Sequence, residues 1–140
     1  LRDKPLQNKF KGIITTSYQT PLKTWQFDLT AQFNGEGRMP DGFVVPEASK
    51  QYTMRNGCIY HKWYPQLLGQ VTKFFRTWSI YLGAENMTNF TQDNPIVGER
   101  HGEHQYVNPE SANFDASMIW APIHGWKMYL GFRWSLEREE

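Results

Sequence analysis

The sequence predicts an all-β chain of antiparallel strands, apolar on one face and polar on the other, of the kind that wall a membrane-spanning β-barrel. Three observations predict it. Period-2 alternation recurs along the chain. Aromatic residues make up 16% of a 140-residue sequence whose hydrophobic content is only 39%. The connections alternate between short and long, the layout of a barrel with tight turns at one rim and elaborate loops at the other.

The segment 25–34 alternates without a fault: Trp25, Phe27, Leu29, Ala31 and Phe33 oppose Gln26, Asp28, Thr30, Gln32 and Asn34. Segment 78–85 sets Trp78, Ile80, Leu82 and Ala84 against Ser79, Tyr81, Gly83 and Glu85. In 126–137, Trp126, Met128, Leu130, Phe132, Trp134 and Leu136 oppose residues that include Lys127, Tyr129 and Arg133. Two less regular segments, 10–18 and 67–75, are read as strands as well. In the second of these Leu68 and Phe74 break the rule, and Lys73 is assigned to the charged side with Asp28, Glu85, Lys127 and Arg133. Residues 19–24 (with Pro21) and 76–77 form tight turns, whereas 35–63 and roughly 89–125 are long and irregular; a short strand over 114–120 is an option.

Lipid contact is favoured over a soluble sandwich because the best segments run about 10 residues, the length of a tilted membrane strand. Aromatic rings also flank aliphatic centres, as at a membrane interface. No run approaches the roughly 18–20 apolar residues of a membrane-spanning helix, and barrel strands need none. Five or six strands are too few to close a barrel, so further strands of a longer polypeptide are expected. The start at Leu1, without Met or signal peptide, fits an internal segment or an exported chain.

The stretches "WSIYLGAENMTNFTQDNPI" and "FDASMIWAPIHGWKMYLGFRW" resemble the end of TonB-dependent outer-membrane receptors, particularly those of Bacteroidetes. Residues 85–90 take the place of that family's signature on the penultimate strand, and 125–134 match its final strand. "KTWQFDLTAQFNG" and "YPQLLGQVTKFF" resemble the preceding strands more loosely. The resemblance implies that residues 1–140 are the C-terminal strands of a barrel of about 22 strands. It implies a location in the outer membrane of a Gram-negative bacterium, with outer-membrane lipid, the remaining strands and a plug absent from this sequence as neighbours. The TonB complex would act through that plug to drive uptake of a scarce nutrient. The penultimate strand is then expected to run from Trp78 to about Asn94, with extracellular loops at about 35–63 and 95–125. A passive porin or adhesin barrel and a secreted carbohydrate-binding β-sandwich are the alternatives.

Candidate ligand-binding residues are the loop aromatics Phe43, Tyr52, Tyr60, Trp63, Tyr106 and Trp120. Weaker metal candidates are Met54, Cys58 and His61, a soft-donor group in one loop, and His101 and His104 in the other. No cofactor is implied. A net charge of +1 gives no nucleic-acid surface. Nothing resembles a phosphate loop or nucleophile elbow, so no enzyme is expected. Cys58 is the sole cysteine and forms no disulfide within the chain.

Overall fold

The computed structural model describes residues 3–46, 49–97, 100–101, 106–107, 110 and 114–135. The described chain is all-β and antiparallel, without helices, and its main sheet is open rather than closed into a barrel. It divides into two compact units, one of residues 1–10, 35–64 and 91–123, the other of residues 11–34, 65–90 and 124–140.

The second unit is built on five strands in the order β1 (Lys11–Gln19), β2 (Trp25–Asn34), β6 (Tyr64–Phe74), β7 (Trp78–Glu85) and β10 (Lys127–Trp134). Each strand lies beside the one that precedes it along this meander, and β1 and β10 are its edges. The perfect alternation of 25–34 becomes β2 residue for residue. Its pairing with β1 sets Ile14 opposite Ala31, Thr16 opposite Leu29 and Tyr18 opposite Phe27. β7 meets β6 through Gly69–Ala84, Val71–Leu82 and Lys73–Ile80, and meets β10 through Leu82–Leu130, Ile80–Phe132 and Trp78–Trp134. Directly opposed residues in an antiparallel ladder share a face, so all these side chains lie on one side.

Register corrects the assignment of Lys73. Its partner is Ile80, which places it on the apolar side, while Leu68 and Phe74 fall on the polar side. The ammonium lies over the Trp25 ring, 4.2 Å from its centroid.

The short connections are tight. At 20–24, Lys23 adopts φ 51° and donates its N–H to Thr20 O at 2.8 Å. At the next turn Phe75 N–H bonds to Trp78 O at 2.8 Å. The penultimate strand, expected to reach about Asn94, instead ends at Glu85. Asn86 turns the chain there with φ 50°, and its amide donates to Phe90 O at 2.8 Å and His124 O at 3.0 Å. A short polar side chain that bonds local backbone tolerates this left-handed conformation.

The first unit corrects the expectation of irregular loops at 35–63 and 95–125. It holds a sheet ordered β3 (Gly37–Arg38), β5 (Cys58–His61), β4 (Tyr52–Arg55) and a small ladder of β8 (Arg100–His101) with β9 (Tyr106–Val107). The β4–β5 hairpin turns on Asn56-Gly57, with φ 50° and 72°, the positive values a two-residue hairpin requires. The optional strand at 114–120 is a single bridge between Asp115 and Val97.

On the polar side of the main sheet, two tyrosines lie across two glycines. Gly83 opposes Tyr129 and Gly131 opposes Tyr81, and a β-carbon on either glycine would collide with the facing ring. Gly131→Val is expected to destabilise the sheet by about 1–3 kcal/mol by expelling the Tyr81 ring. Gly12→Val, where nothing lies within 4 Å, should stay within about 0.5 kcal/mol of wild type. Urea unfolding in detergent micelles measures both, and equal effects would refute the ring-over-glycine account.

Candidate functional site

Two surfaces are candidates: the apolar face of the main sheet, and the aromatic cluster of the first unit. The main sheet leaves the large apolar side chains of one face uncovered. On its apolar side Leu130 is 70% exposed and Trp134 68%, and Ile14, Leu29, Leu82 and Phe132 are exposed too. On its polar side Thr72 and Ser79 are only 6% and 7% exposed. A soluble sheet buries the apolar side, because each large apolar side chain removed from water contributes about 1.5–3 kcal/mol. Exposed apolar surface on this scale marks an interaction site.

The aromatic rings concentrate at the short-turn end of that face. Phe75 stacks on Trp78 with centroids 3.7 Å apart, Trp78 meets Phe132 at 5.5 Å, and Trp25 and Tyr18 flank Phe27 at 6.3 and 6.4 Å. The opposite side is held by polar bonds from strand to strand. Ser17 donates to Asp28 at 2.5 Å, Gln26 donates to the same carboxylate at 2.9 Å, and Gln32 and Asn34 reach Gln66 at 3.3 and 3.4 Å. The Tyr129 hydroxyl donates to Gln70 Oε1 at 3.0 Å. Such a surface suits water or further polar protein, not hydrocarbon.

In the first unit, Met39, Phe43 and Tyr52 form the buried core, with Ile59, Val97 and Trp120 packed against it. Trp120 is its hub. The ring stacks on His61 at 4.0 Å and 9°, its indole N–H donates to the Tyr52 hydroxyl at 3.2 Å, and its carbonyl accepts from Tyr64 at 3.1 Å. Phe43 meets Tyr52 at 5.0 Å. Of the six proposed ligand aromatics, Phe43 and Tyr52 are therefore core residues and Trp120 is half-buried against them, because packing ring on ring is how an insertion with few aliphatics excludes water. Tyr60 is half-buried beneath the Lys9 ammonium, 5.0 Å from its ring centroid, and Trp63 is 60% exposed. Tyr106 and His101 pair in the β8–β9 ladder, and His104 lies outside the described residues.

The soft-donor group does not converge. In the hairpin register Tyr52 faces His61, Met54 faces Ile59 and Arg55 faces Cys58, which puts Met54 and His61 on one face and Cys58 on the other. Met54 is exposed, whereas His61 is fully buried. No cluster of three or more His, Cys, Asp or Glu suited to a metal is present among the described residues.

The polar residues that sequence reasoning overlooked are two glutamines. The Gln92 amide, buried, donates to Met118 O at 3.0 Å and accepts from Trp120 N–H at 2.9 Å and Ala121 N–H at 3.4 Å. Gln51 donates to Thr91 O at 2.6 Å and accepts from Asp93 N–H at 2.8 Å. Gln51 thus ties its segment to residues 91–93, and Gln92 ties that stretch to residues 118–121. Glutamine in a long insertion carries no sequence mark of this role.

Comparison with protein-family models, curated proteins and solved structures gave no match.

Gln92→Leu removes three hydrogen bonds and leaves buried backbone groups unpaired; it is expected to cost the first unit about 2–3 kcal/mol. Thermal unfolding followed by Trp near-ultraviolet circular dichroism measures it, and a loss under about 0.5 kcal/mol would contradict the stitching role. Burial holds the His61 imidazole below its ordinary value of 6.5, so its neutral form is favoured in the fold. The unfolded chain binds the proton more readily, and stability should be flat above that value and fall as pH drops through it. His61→Phe should abolish this acid slope in unfolding measured between about pH 7 and 5.

Proposed function

We propose that this chain is part of the wall of an outer-membrane β-barrel importer of the TonB-dependent receptor type. It supplies five adjacent strands and two structured insertions that face the cell exterior. The observation that carries the reading is the main sheet's Trp- and Leu-bearing side, which is exposed on all five strands, while Thr72, Ser79 and Asn34 on the opposite side are buried. Hydrocarbon accepts the first surface, and a wet or plugged interior accepts the second. The girdle of rings at the short-turn end belongs at a membrane–water interface.

Connection lengths support the orientation. β1–β2 and β6–β7 are joined by tight turns, which belong on the periplasmic side, whereas β2–β6 and β7–β10 are joined through the first unit, on the extracellular side. The unpaired edges of β1 and β10 call for neighbouring strands, since an open edge in lipid leaves backbone groups unsatisfied at several kcal/mol each. Active import through a plug and the TonB complex, rather than passive passage, follows from the resemblance of residues 78–134. Nutrient capture falls to the accessible insertion aromatics, Trp63 first and Tyr60 second.

Leu130→Arg in the full-length protein is expected to block assembly into bilayers, because a cation near the midplane of a barrel's lipid face costs roughly 2–4 kcal/mol. Arg133→Leu, on the opposite side of the same strand, should fold normally. Protease resistance after folding into phosphatidylcholine vesicles measures both, and normal assembly of the Leu130→Arg protein would remove lipid contact from that face.

A further inference from the structure

We propose that the apolar face carries a seat for one anionic glycerophospholipid, its acyl chain in a trough across Gly69 and Ala84 and its phosphate on Lys73. This inference rests on the wall reading above and deepens it.

The trough is an open furrow of about 440 Å³. Its floor exists because Gly69 and Ala84, direct partners across β6 and β7, raise almost no side chain. Leu29, Val71, Leu82 and Met128 stand around it, with Met87 Sδ 3.3 Å from where a Gly69 β-carbon would lie. The lining is almost wholly apolar, so the furrow suits hydrocarbon and nothing charged. Lys73 lies four residues beyond Gly69 along β6, roughly 13 Å away at strand rise, and register puts it on the same side. Its ammonium rests 4.2 Å from the Trp25 ring centroid and 5.6 Å from that of Phe75. Among the described residues, Lys73 has no carboxylate at ion-pair distance.

The surroundings repeat the sign. The two short turns carry Lys23 and Arg76 and no acidic residue, while Glu137, Glu139 and Glu140 lie outside the described residues. A cation held on an aromatic ring at the border of an apolar band, without an acid to pair it, is complementary to an anion attached to hydrocarbon. Free phosphate would gain nothing from the trough. A zwitterionic headgroup would bring its own cation against Lys73. The short-turn end places this seat in the periplasmic leaflet of the proposed topology.

The test reconstitutes the full-length protein in bilayers and measures, by the immobilised fraction of spin-labelled lipid, association of phosphatidylglycerol relative to phosphatidylcholine. Wild type is expected to prefer phosphatidylglycerol roughly fivefold, the factor one interfacial cation provides. Lys73→Gln should lose that preference, and Lys127→Gln, at the far end of the strands, should keep it. Gly69→Leu fills the furrow while leaving Lys73 in place, and should at least halve the preference. Equal association of the two lipids with wild type, or a preference that survives Lys73→Gln, overturns the seat while the wall reading stands. A protein that enters neither lipid overturns both.

Discussion

In a β-strand successive side chains leave opposite sides of the backbone, so five hydrogen-bonded neighbours in fixed register can present only two surfaces. Here the two differ in chemistry from strand to strand with few exceptions. Trp78, Ile80 and Leu82 on β7 meet like residues on β10, and Val71 on β6 joins them. A slip of one residue in any pairing would thrust Asp28 or Arg133 among the leucines and tryptophans. That penalty fixes the register, and the register fixes which side must find a non-aqueous neighbour. Everything inferred about the environment of this chain descends from it.

The polar side works by a different economy. It has little aliphatic volume to pack, so it relies on hydroxyls and amides that bond from strand to strand and on tyrosine rings laid over glycines. Gly83 and Gly131 matter because they are absent side chains: each clears a bed for a ring from the next strand. The ring then covers the backbone of the strand beneath it. The first unit solves the same problem with Trp120, which gathers His61, Tyr52 and Tyr64 about one indole.

How far these features could be read in advance varied with how local their cause is. β2 was legible to the residue because its alternation is unbroken and depends on no neighbour. Lys73 was misassigned because Leu68 and Phe74 blur the period of β6, and only the ladder with β7 settles the parity. The Asn56-Gly57 pair was a legible hairpin signal that the aromatic content of the surrounding insertion obscured. The early end of β7 hinges on Asn86 adopting a left-handed turn, secured by carbonyls of Phe90 and His124; the second of these is distant in sequence. Among the ligand candidates, exposure separated Trp63 from Phe43, Tyr52 and Trp120, and no property of an aromatic residue in isolation foretells that.

The glutamine stitches have a consequence for how such insertions diversify. Gln51, in the excursion between β2 and β6, spends its amide on Thr91 and Asp93 of the excursion between β7 and β10, where Gln92 in turn binds residues 118–121. Shortening either excursion by a residue would pull those atoms out of reach and unsettle the other. Variation that reshapes this region would therefore have to arrive as matched changes in two distant stretches of the gene, inherited together.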